Sequence, residues 1–198
     1  LYEPNKLYIR LMNYNWQQEN WPKFQYHLDK IQDVQLNFGL KSGQLNGTLV
    51  GLEENNKINT VIDLMVTEAI KTSEIEGEFL SRIEVMSSIK KNLGVSDPNS
   101  IQVKDQRVKG IAQLMVNIRN TFHKPLSEKM LFEWHSLLMK GAKNIQSGQW
   151  RTGSSPMQVI SGRIGKETIH FEAPPSTQVP KEMKNFISWF NNTAPGNP

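Results

Sequence analysis

The chain has 198 residues, of which 37% are apolar and 21% charged, and it contains no cysteine. That length accommodates one large domain or two small ones, and the composition is typical of a folded soluble protein. The lack of cysteine excludes disulfides, thiolate zinc sites and a cysteine nucleophile. No apolar stretch is long enough to cross a membrane and the first residues lack the order of a secretory signal, so we expect a cytoplasmic protein without a membrane partner.

Charge is unevenly distributed along the chain, although the net charge is only +4. Residues 1–99 carry 10 basic and 13 acidic side chains, a net charge of −3, whereas residues 100–198 carry 13 and 6, a net charge of +7. An anionic ligand is therefore expected near the second half. We do not predict nucleic-acid binding, because no run of basic residues alternates with aromatic ones.

The first predicted elements are an aromatic segment and a long helix. The segment NYNWQQENWPKFQYHL carries two tryptophans and two tyrosines, and Pro22 suits the first turn of a helix. Apolar residues then recur every seven positions, which predicts a long amphipathic helix. These residues are Phe24, Ile31, Phe38, Leu45 and Leu52.

Glycines also recur along this predicted helix, at Gly39, Gly43, Gly47 and Gly51. Each glycine destabilises a helix by roughly 1 kcal/mol relative to alanine, so four in a row need a structural reason. We expect close contact with another helix, either within the chain or across a homodimer. A helix broken near Gly39 is the alternative.

Further helices are predicted on both sides of a linker at residues 96–100. A helical pattern runs from Ile58 to Ala69, with Asn59 or Thr60 as its cap, and continues into KTSEIEGEFL. The next pattern ends at Gly94, a C-cap, and after the linker two more follow, the second of them capped by Ser127.

A β-hairpin and a final helix are predicted after residue 148, where glycine, serine and proline become frequent. The runs MQVIS and TIHFE are separated by GRIGK, which indicates two strands joined by a wide loop. Alternation places Gln158 and Ile160 on one strand face and Met157 and Val159 on the other. Two prolines end the hairpin, and VPKEMKNFISWFNN predicts the last helix.

Common catalytic motifs are missing from the sequence, including phosphate-binding loops, dinucleotide fingerprints and the nucleophile elbow. The histidines lack metal-ligand spacing, and they are His27, His123, His135 and His170. His135, in the run LFEWHSLL, is expected to form a hydrogen bond near the core rather than to act as a ligand or base.

The segment Thr72-Ser-Glu-Ile-Glu76-Gly77 carries more information. On a helix Thr72 and Glu76 lie one turn apart on one face, and Gly77 permits the helix to end. From composition alone, a capped helix end with solvated acidic side chains is the simpler interpretation.

These six residues also resemble the inhibitory motif Ser/Thr-x-x-x-Glu-Gly/Asn of the Fic (filamentation induced by cAMP) family, in the class whose inhibitory helix precedes the catalytic core. WHSLLMKG followed by Gly148-Gln-Trp-Arg151 resembles an early helix of that core and its G-x-x-R step. PMQVISGRIGKETIHFEAPP resembles the hairpin called the flap. The resemblance implies a mainly α fold, with an N-terminal helical domain at 12–96 and an incomplete Fic core with one β-hairpin at 101–198.

The family's catalytic signature, His-Pro-Phe-x-Asp/Glu-Gly-Asn-Gly/Lys-Arg, does not occur in this sequence. The resemblance implies a protein that transfers AMP from ATP to a Ser, Thr or Tyr hydroxyl of a target protein. This stretch would hold no catalytic residue and be inactive alone. ATP and Mg²⁺ are implied, with their main ligands beyond residue 198.

The resemblance also implies roles for residues within the chain. Thr72, Glu76 and Gly77 would form the inhibitory motif, in which Glu76 pairs with the arginine that should hold the γ-phosphate. The flap strand would dock the target through Met157, Gln158, Val159 and Ile160. Two other functions stay open, a non-catalytic regulatory or binding module and the transfer of another phosphate-containing group.

Overall fold

Six α-helices and one antiparallel hairpin are present in the computed structural model, which describes residues 14–23 and 27–193. This mainly α fold confirms the predicted fold class. The elements are α1 (Gln32–Val50), α2 (Glu54–Ile75), α3 (Arg82–Asn92), α4 (Gln106–Thr121), α5 (Glu128–Leu138), β1 (Gln158–Arg163), β2 (Lys166–Glu172) and α6 (Val179–Thr193).

The described residues divide into two compact units. The hairpin unit contains residues up to Phe38 and Trp150–Glu182, and the helical unit contains Gly39–Gln149 and residues from Met183 onward. No helix among the described residues is long and apolar enough to span a membrane.

The core of the helical unit lies between α2, α3 and α4. Apolar residues three and four positions apart on each helix face inward, as the helical period requires. Complete burial of such a side chain contributes roughly 1.5 to 3 kcal/mol. The buried residues are Ile62, Met65, Val66, Ala69, Val85, Ile89, Val108, Ile111, Ala112 and Val116.

Contact between α4 and α5 is unusually close at Gly110. A Cβ atom at this position would lie 2.2 Å from the carbonyl oxygen of Leu137. Farther along the two helices, the indole Nε1 of Trp134 donates a hydrogen bond of 2.7 Å to Asn117 Oδ1. Gly110 therefore permits two helix backbones to approach, the role that the sequence had suggested for the glycines of α1.

Helix α1 is continuous, so the alternative of a break near Gly39 is wrong. Apart from the nearby backbone of α1 itself, no atom of the described residues lies within 4 Å of a Cβ built at Gly39, Gly43 or Gly47. The predicted close contact with another helix is therefore wrong for the described part of the chain, while contact across a homodimer stays a prediction. The apolar face of α1 is exposed, with Phe38 73% accessible, and Phe24 lies outside the described residues.

Helix ends agree with the predicted caps in the second half of the chain. The prediction that α3 ends at Gly94 is confirmed, because this glycine has a φ of 70° and directly follows the C-cap residue Leu93. Ser127 also caps α5, since its Oγ accepts a hydrogen bond of 3.3 Å from the Met130 N–H.

The start of α2 differs from its prediction. The helix begins at Glu54 with Glu53 as its N-cap, so the predicted caps Asn59 and Thr60 both lie inside it. The Thr60 hydroxyl instead donates a hydrogen bond of 2.8 Å to the carbonyl of Asn56. Threonine can make this bond within a helix, which is why its capping preference did not locate the helix start.

The aromatic segment packs against the hairpin within the hairpin unit. The Tyr14 ring meets that of Phe171 edge to face at 5.5 Å, and Trp16 Nε1 donates a hydrogen bond of 2.6 Å to the carbonyl of Glu172. Pro22 lies in a turn rather than in a first helical turn, so that part of the prediction is wrong. Tyr14 and Trp16 therefore pack against the end of β2.

Candidate functional site

The segment 72–77, which resembles an inhibitory motif, forms the C-terminal end of α2. Glu76 is the C-cap residue, and Gly77 follows with a φ of 78°. The Gly77 N–H donates to the carbonyl of Glu74 at 3.0 Å, and the Glu78 N–H donates to that of Ser73 at 2.9 Å. This pair of hydrogen bonds is the Schellman motif, which places a left-handed residue directly after the cap. The glycine of the motif is thus explained by backbone geometry.

The side chain of Glu76 extends from the end of α2 into an exposed position. Among the described residues, no hydrogen bond or ion pair engages its carboxylate. Thr72 lies one turn earlier, but its hydroxyl donates to Glu68 Oε1 at 3.1 Å. Glu74 pairs with Lys71 at 2.7 Å. Of the three acidic residues in positions 74–78, Glu76 is therefore the one left available to a partner outside the described residues.

Arg107 connects the residue after the motif to the start of α4. Its Nη1 lies 2.5 Å from Glu78 Oε2, and its Nη2 lies 2.8 Å from Asp105 Oδ2. Hydrogen bonding from the Arg107 side chain lowers the pKa of Asp105, and Asp105, followed by Glu78, raises the pKa of Arg107. Asp105 also caps α4, since it accepts from the Arg107 N–H at 2.8 Å.

Sequence reasoning missed the roles of Glu78 and Arg107. The two residues are 29 positions apart and belong to different helical patterns, so no periodicity relates them. Asp105 two residues before Arg107 is a helix-start signal, but the sequence does not show what the arginine contacts.

His135 and Gly148 form a local contact in the segment that resembles the early Fic core. The Gly148 N–H donates a hydrogen bond of 3.0 Å to His135 Nδ1, which confirms the expected structural role of this histidine. Gly148 has a φ of 72°, and a Cβ there would lie 2.4 Å from Ser136 Oγ. The next motif residue, Arg151, donates to the carbonyl of Pro174 within the hairpin unit. Both motif residues therefore fix loop geometry.

The residues that resemble a flap, called the flap from here on, form the antiparallel pair β1 and β2. Arg163 pairs with Lys166, so the turn has two residues and the predicted wide loop is wrong. Gly165 supplies the positive φ of 83° that such tight turns need. The strands are longer than predicted because Gly162 and Arg163 also pair with residues 166–167 across the hairpin.

The outer edge of β1 carries no neighbouring strand among the described residues. Arg163 and Lys166 flank the two-residue turn, so the main-chain N–H and C=O groups of this pair face each other. Along an antiparallel strand these groups point alternately toward the partner strand and away from it. Those of Ile160, three residues before Arg163, therefore point away from β2. The shift in register between Val159 and Ile160 does not affect this alternation, because residues 160–163 all pair with β2 in one register.

Exposed apolar side chains line this flap. Three of the four predicted docking residues, Met157, Val159 and Ile160, are exposed by more than half, while Gln158 donates a hydrogen bond of 2.7 Å to Glu172. Ile164 at the turn is completely exposed, and no sequence pattern singled it out. The flap therefore presents apolar side chains together with unpaired main-chain groups.

The predicted site residues thus occupy two places. Thr72, Glu76 and Gly77 lie in the helical unit, and residues 157–160 lie in the hairpin unit. Within the ranges that the structure describes, no group of three His, Cys, Asp or Glu side chains could hold a metal ion.

Comparisons with known proteins agree with this architecture. Residues 14–95 match a family model described as a domain of unknown function (DUF4172). The structure resembles that of a Fic family protein from Desulfovibrio desulfuricans G20, with a TM-score of 0.50 and 22% sequence identity. The match covers 80% of this chain and 45% of that protein, so the chain spans less than half its length. No curated protein sequence matches. The chain therefore has the fold of a Fic family protein, which confirms the resemblance read from the sequence.

Proposed function

We propose that this chain is the regulatory and target-binding part of a protein that transfers AMP from ATP to a hydroxyl group of a target protein. In this proposal Glu76 inhibits the transfer. The observation that carries it is the end of α2, where an exposed Glu76 carboxylate, paired with no described residue, precedes the left-handed Gly77. The fold shared with a Fic family protein supports the same assignment.

Glu76 inhibits by occupying an arginine that otherwise holds the γ-phosphate of ATP. A hydrogen bond between charged groups contributes roughly 1.5 to 3 kcal/mol, enough to bias the pose of a nucleotide strongly. Because no described residue engages the Glu76 carboxylate, this new pair would not replace an existing ion pair in the described chain. Glu74 is less suited to this role, since Lys71 already pairs with it.

ATP is the substrate in this proposal, and Mg²⁺ would accompany its phosphates. No group of three His, Cys, Asp or Glu side chains among the described residues could hold a metal ion. In this proposal the main ligands of the phosphates and of Mg²⁺ lie beyond residue 198. The chain's own contribution is inhibition through Glu76 and docking of the target.

Docking would use the outer edge of β1. An extended target segment can add a strand to an exposed sheet edge, where main-chain hydrogen bonds hold it in register. The outward main-chain groups of Ile160 suit that mode, and the exposed side chains of Met157, Val159 and Ile164 offer apolar contacts. The target is thus expected to present its hydroxyl on an extended segment.

The inhibitory role is tested by Glu76→Gly in the intact protein, with AMP transfer measured from α-labelled ATP. Loss of the carboxylate should raise the transfer rate, while Glu74→Gly, the same change two positions earlier, should not. An unchanged or lower rate with nucleotide binding intact contradicts the assignment. Parallel reactions with γ-labelled ATP separate AMP transfer from transfer of the terminal phosphate.

Docking is tested by Ile160→Pro, which removes one outward N–H from β1. Transfer to a protein target should fall while nucleotide binding is retained. Ile160→Ala, which keeps the N–H and shortens the side chain, is the matched control and should reduce transfer less. Equal losses in the two variants would show that the side chain, not the main chain, makes the contact.

A further inference from the structure

The turn that presents Glu76 receives little support from apolar packing. Its flanking apolar side chains, Ile75 and Phe79, are 83% and 80% exposed. A side chain so exposed contributes little by burial, so the turn before Leu80, which packs against the core, depends mainly on polar contacts. Those contacts are the two Schellman hydrogen bonds and the ion pair between Glu78 and Arg107.

Glu78 is attached to the turn in two ways. Its N–H donates the Schellman hydrogen bond to Ser73, and its carboxylate reaches Arg107 on α4. Motion of Glu78 away from Arg107 would therefore strain or break the hydrogen bond that closes the end of α2. Glu76 lies between Ser73 and Glu78 in the chain, so the direction of its carboxylate depends on whether the hydrogen bond between these two residues is formed.

Arg107 is itself held in a fixed orientation. Its Nε and Nη2 both reach the carboxylate of Asp105, and the same carboxylate accepts the Arg107 N–H. Planar, forked contacts of this kind restrict a guanidinium more than a single point contact would. Because Asp105 caps α4, whose buried face belongs to the core, the arginine is tied to the rigid part of the helical unit.

We propose that Arg107 is a positioning residue for Glu76, and that its ion pair with Glu78 holds the turn that directs the Glu76 carboxylate. This inference rests on the inhibitory role proposed for Glu76. Exposed ion pairs are individually weak, so the expected effect of losing this one is a two- to fivefold change, roughly the range for such pairs. A change of that size releases inhibition partially, whereas loss of Glu76 releases it completely.

Hydrogen–deuterium exchange of the intact protein tests the positioning directly. In Arg107→Gln, peptides covering residues 73–80 should exchange about two- to fivefold faster, and Arg107→Lys should restore much of the protection. The matched control is Arg82→Gln, which breaks the exposed pair with Asp63 on the same α2 helix and should leave these peptides unchanged. Unchanged exchange in Arg107→Gln overturns the inference.

Transfer assays show whether the turn acts through Glu76. Arg107→Gln should raise AMP transfer two- to fivefold alone and add nothing in a Glu76→Gly background. An additive increase, or faster exchange without a change in transfer while Glu76→Gly is active, overturns the inference. Failure of the proposed function has a different signature, because Glu76→Gly itself would then leave the transfer rate unchanged.

Discussion

Replacing Gly110 by alanine has two opposing effects on the free energy of unfolding. Alanine in a helix interior is favoured over glycine by about 1 kcal/mol, so helix propensity alone predicts a more stable protein. The structure predicts the reverse, because the added Cβ would lie 2.2 Å from the Leu137 carbonyl oxygen and 2.9 Å from Lys140 Cβ. Ordinary contacts between carbon atoms are about 3.5 to 4.0 Å.

Overlap of more than about 1 Å with a backbone atom cannot be relieved by rotating a side chain. The α4 and α5 helices must move apart, and overpacking of this kind destabilises by roughly 1 to 3 kcal/mol or more. Since the nearest neighbour is backbone, we take the upper part of that range. After the propensity gain of about 1 kcal/mol, the net loss in the free energy of unfolding is about 2 kcal/mol.

Urea denaturation followed by circular dichroism measures this loss, which corresponds to a fall in Tm of about 4 to 8 °C. Gly43→Ala is the matched control, because no atom lies within 4 Å of its Cβ and the propensity gain is unopposed. Helical signal should increase in that variant. If Gly110→Ala is as stable as the parent while Gly43→Ala behaves as expected, the close-contact argument is refuted.

Two further predictions concern helix ends. Gly77→Ala should lower the free energy of unfolding by about 1 kcal/mol, since an L side chain strains the left-handed backbone. Gly77→Asn should lower it less, because asparagine tolerates this conformation better. Equal losses of stability in a denaturation experiment would contradict this reason. Asp105→Ala should lose about 1 kcal/mol with its cap. Because the folded pKa of Asp105 is lowered, this contribution is present above the unfolded value of about 3.9 and is lost as the pH falls through the folded value. The difference in the free energy of unfolding between the parent and Asp105→Ala should therefore become smaller below about pH 4 in denaturation experiments. A difference that stays constant with pH would contradict the argument.

Local signals in the sequence located much of the helical unit. The apolar spacing of α2, α3 and α4 and the caps at Gly94 and Ser127 depend on neighbours a few residues away, so one sequence suffices to read them. Contacts between distant residues were not readable. The close approach at Gly110 and the ion pair of Glu78 with Arg107 depend on how helices pack, and neither leaves a periodic trace.

The glycines also show that a regular spacing in the sequence does not identify a close contact in the structure. A row of four in α1 drew attention through its spacing, yet the structure leaves open space beside three of them. The lone Gly110 in α4 belongs to no such pattern, and yet the backbone of α5 lies directly against it. Spacing shows where small residues occur, whereas tertiary packing decides which of them is needed.

The left-handed stop at Gly77 also sets the length of α2 to the residue. Each residue added to an α-helix turns its end by about 100° and advances it by 1.5 Å. One residue inserted between Thr72 and Glu76 would keep the acid, the glycine and the terminating turn, but the carboxylate would emerge from a different side of the helix. The direction of the Glu76 carboxylate is thus set by its position along α2, and an insertion of one residue would change that direction without changing the acid itself.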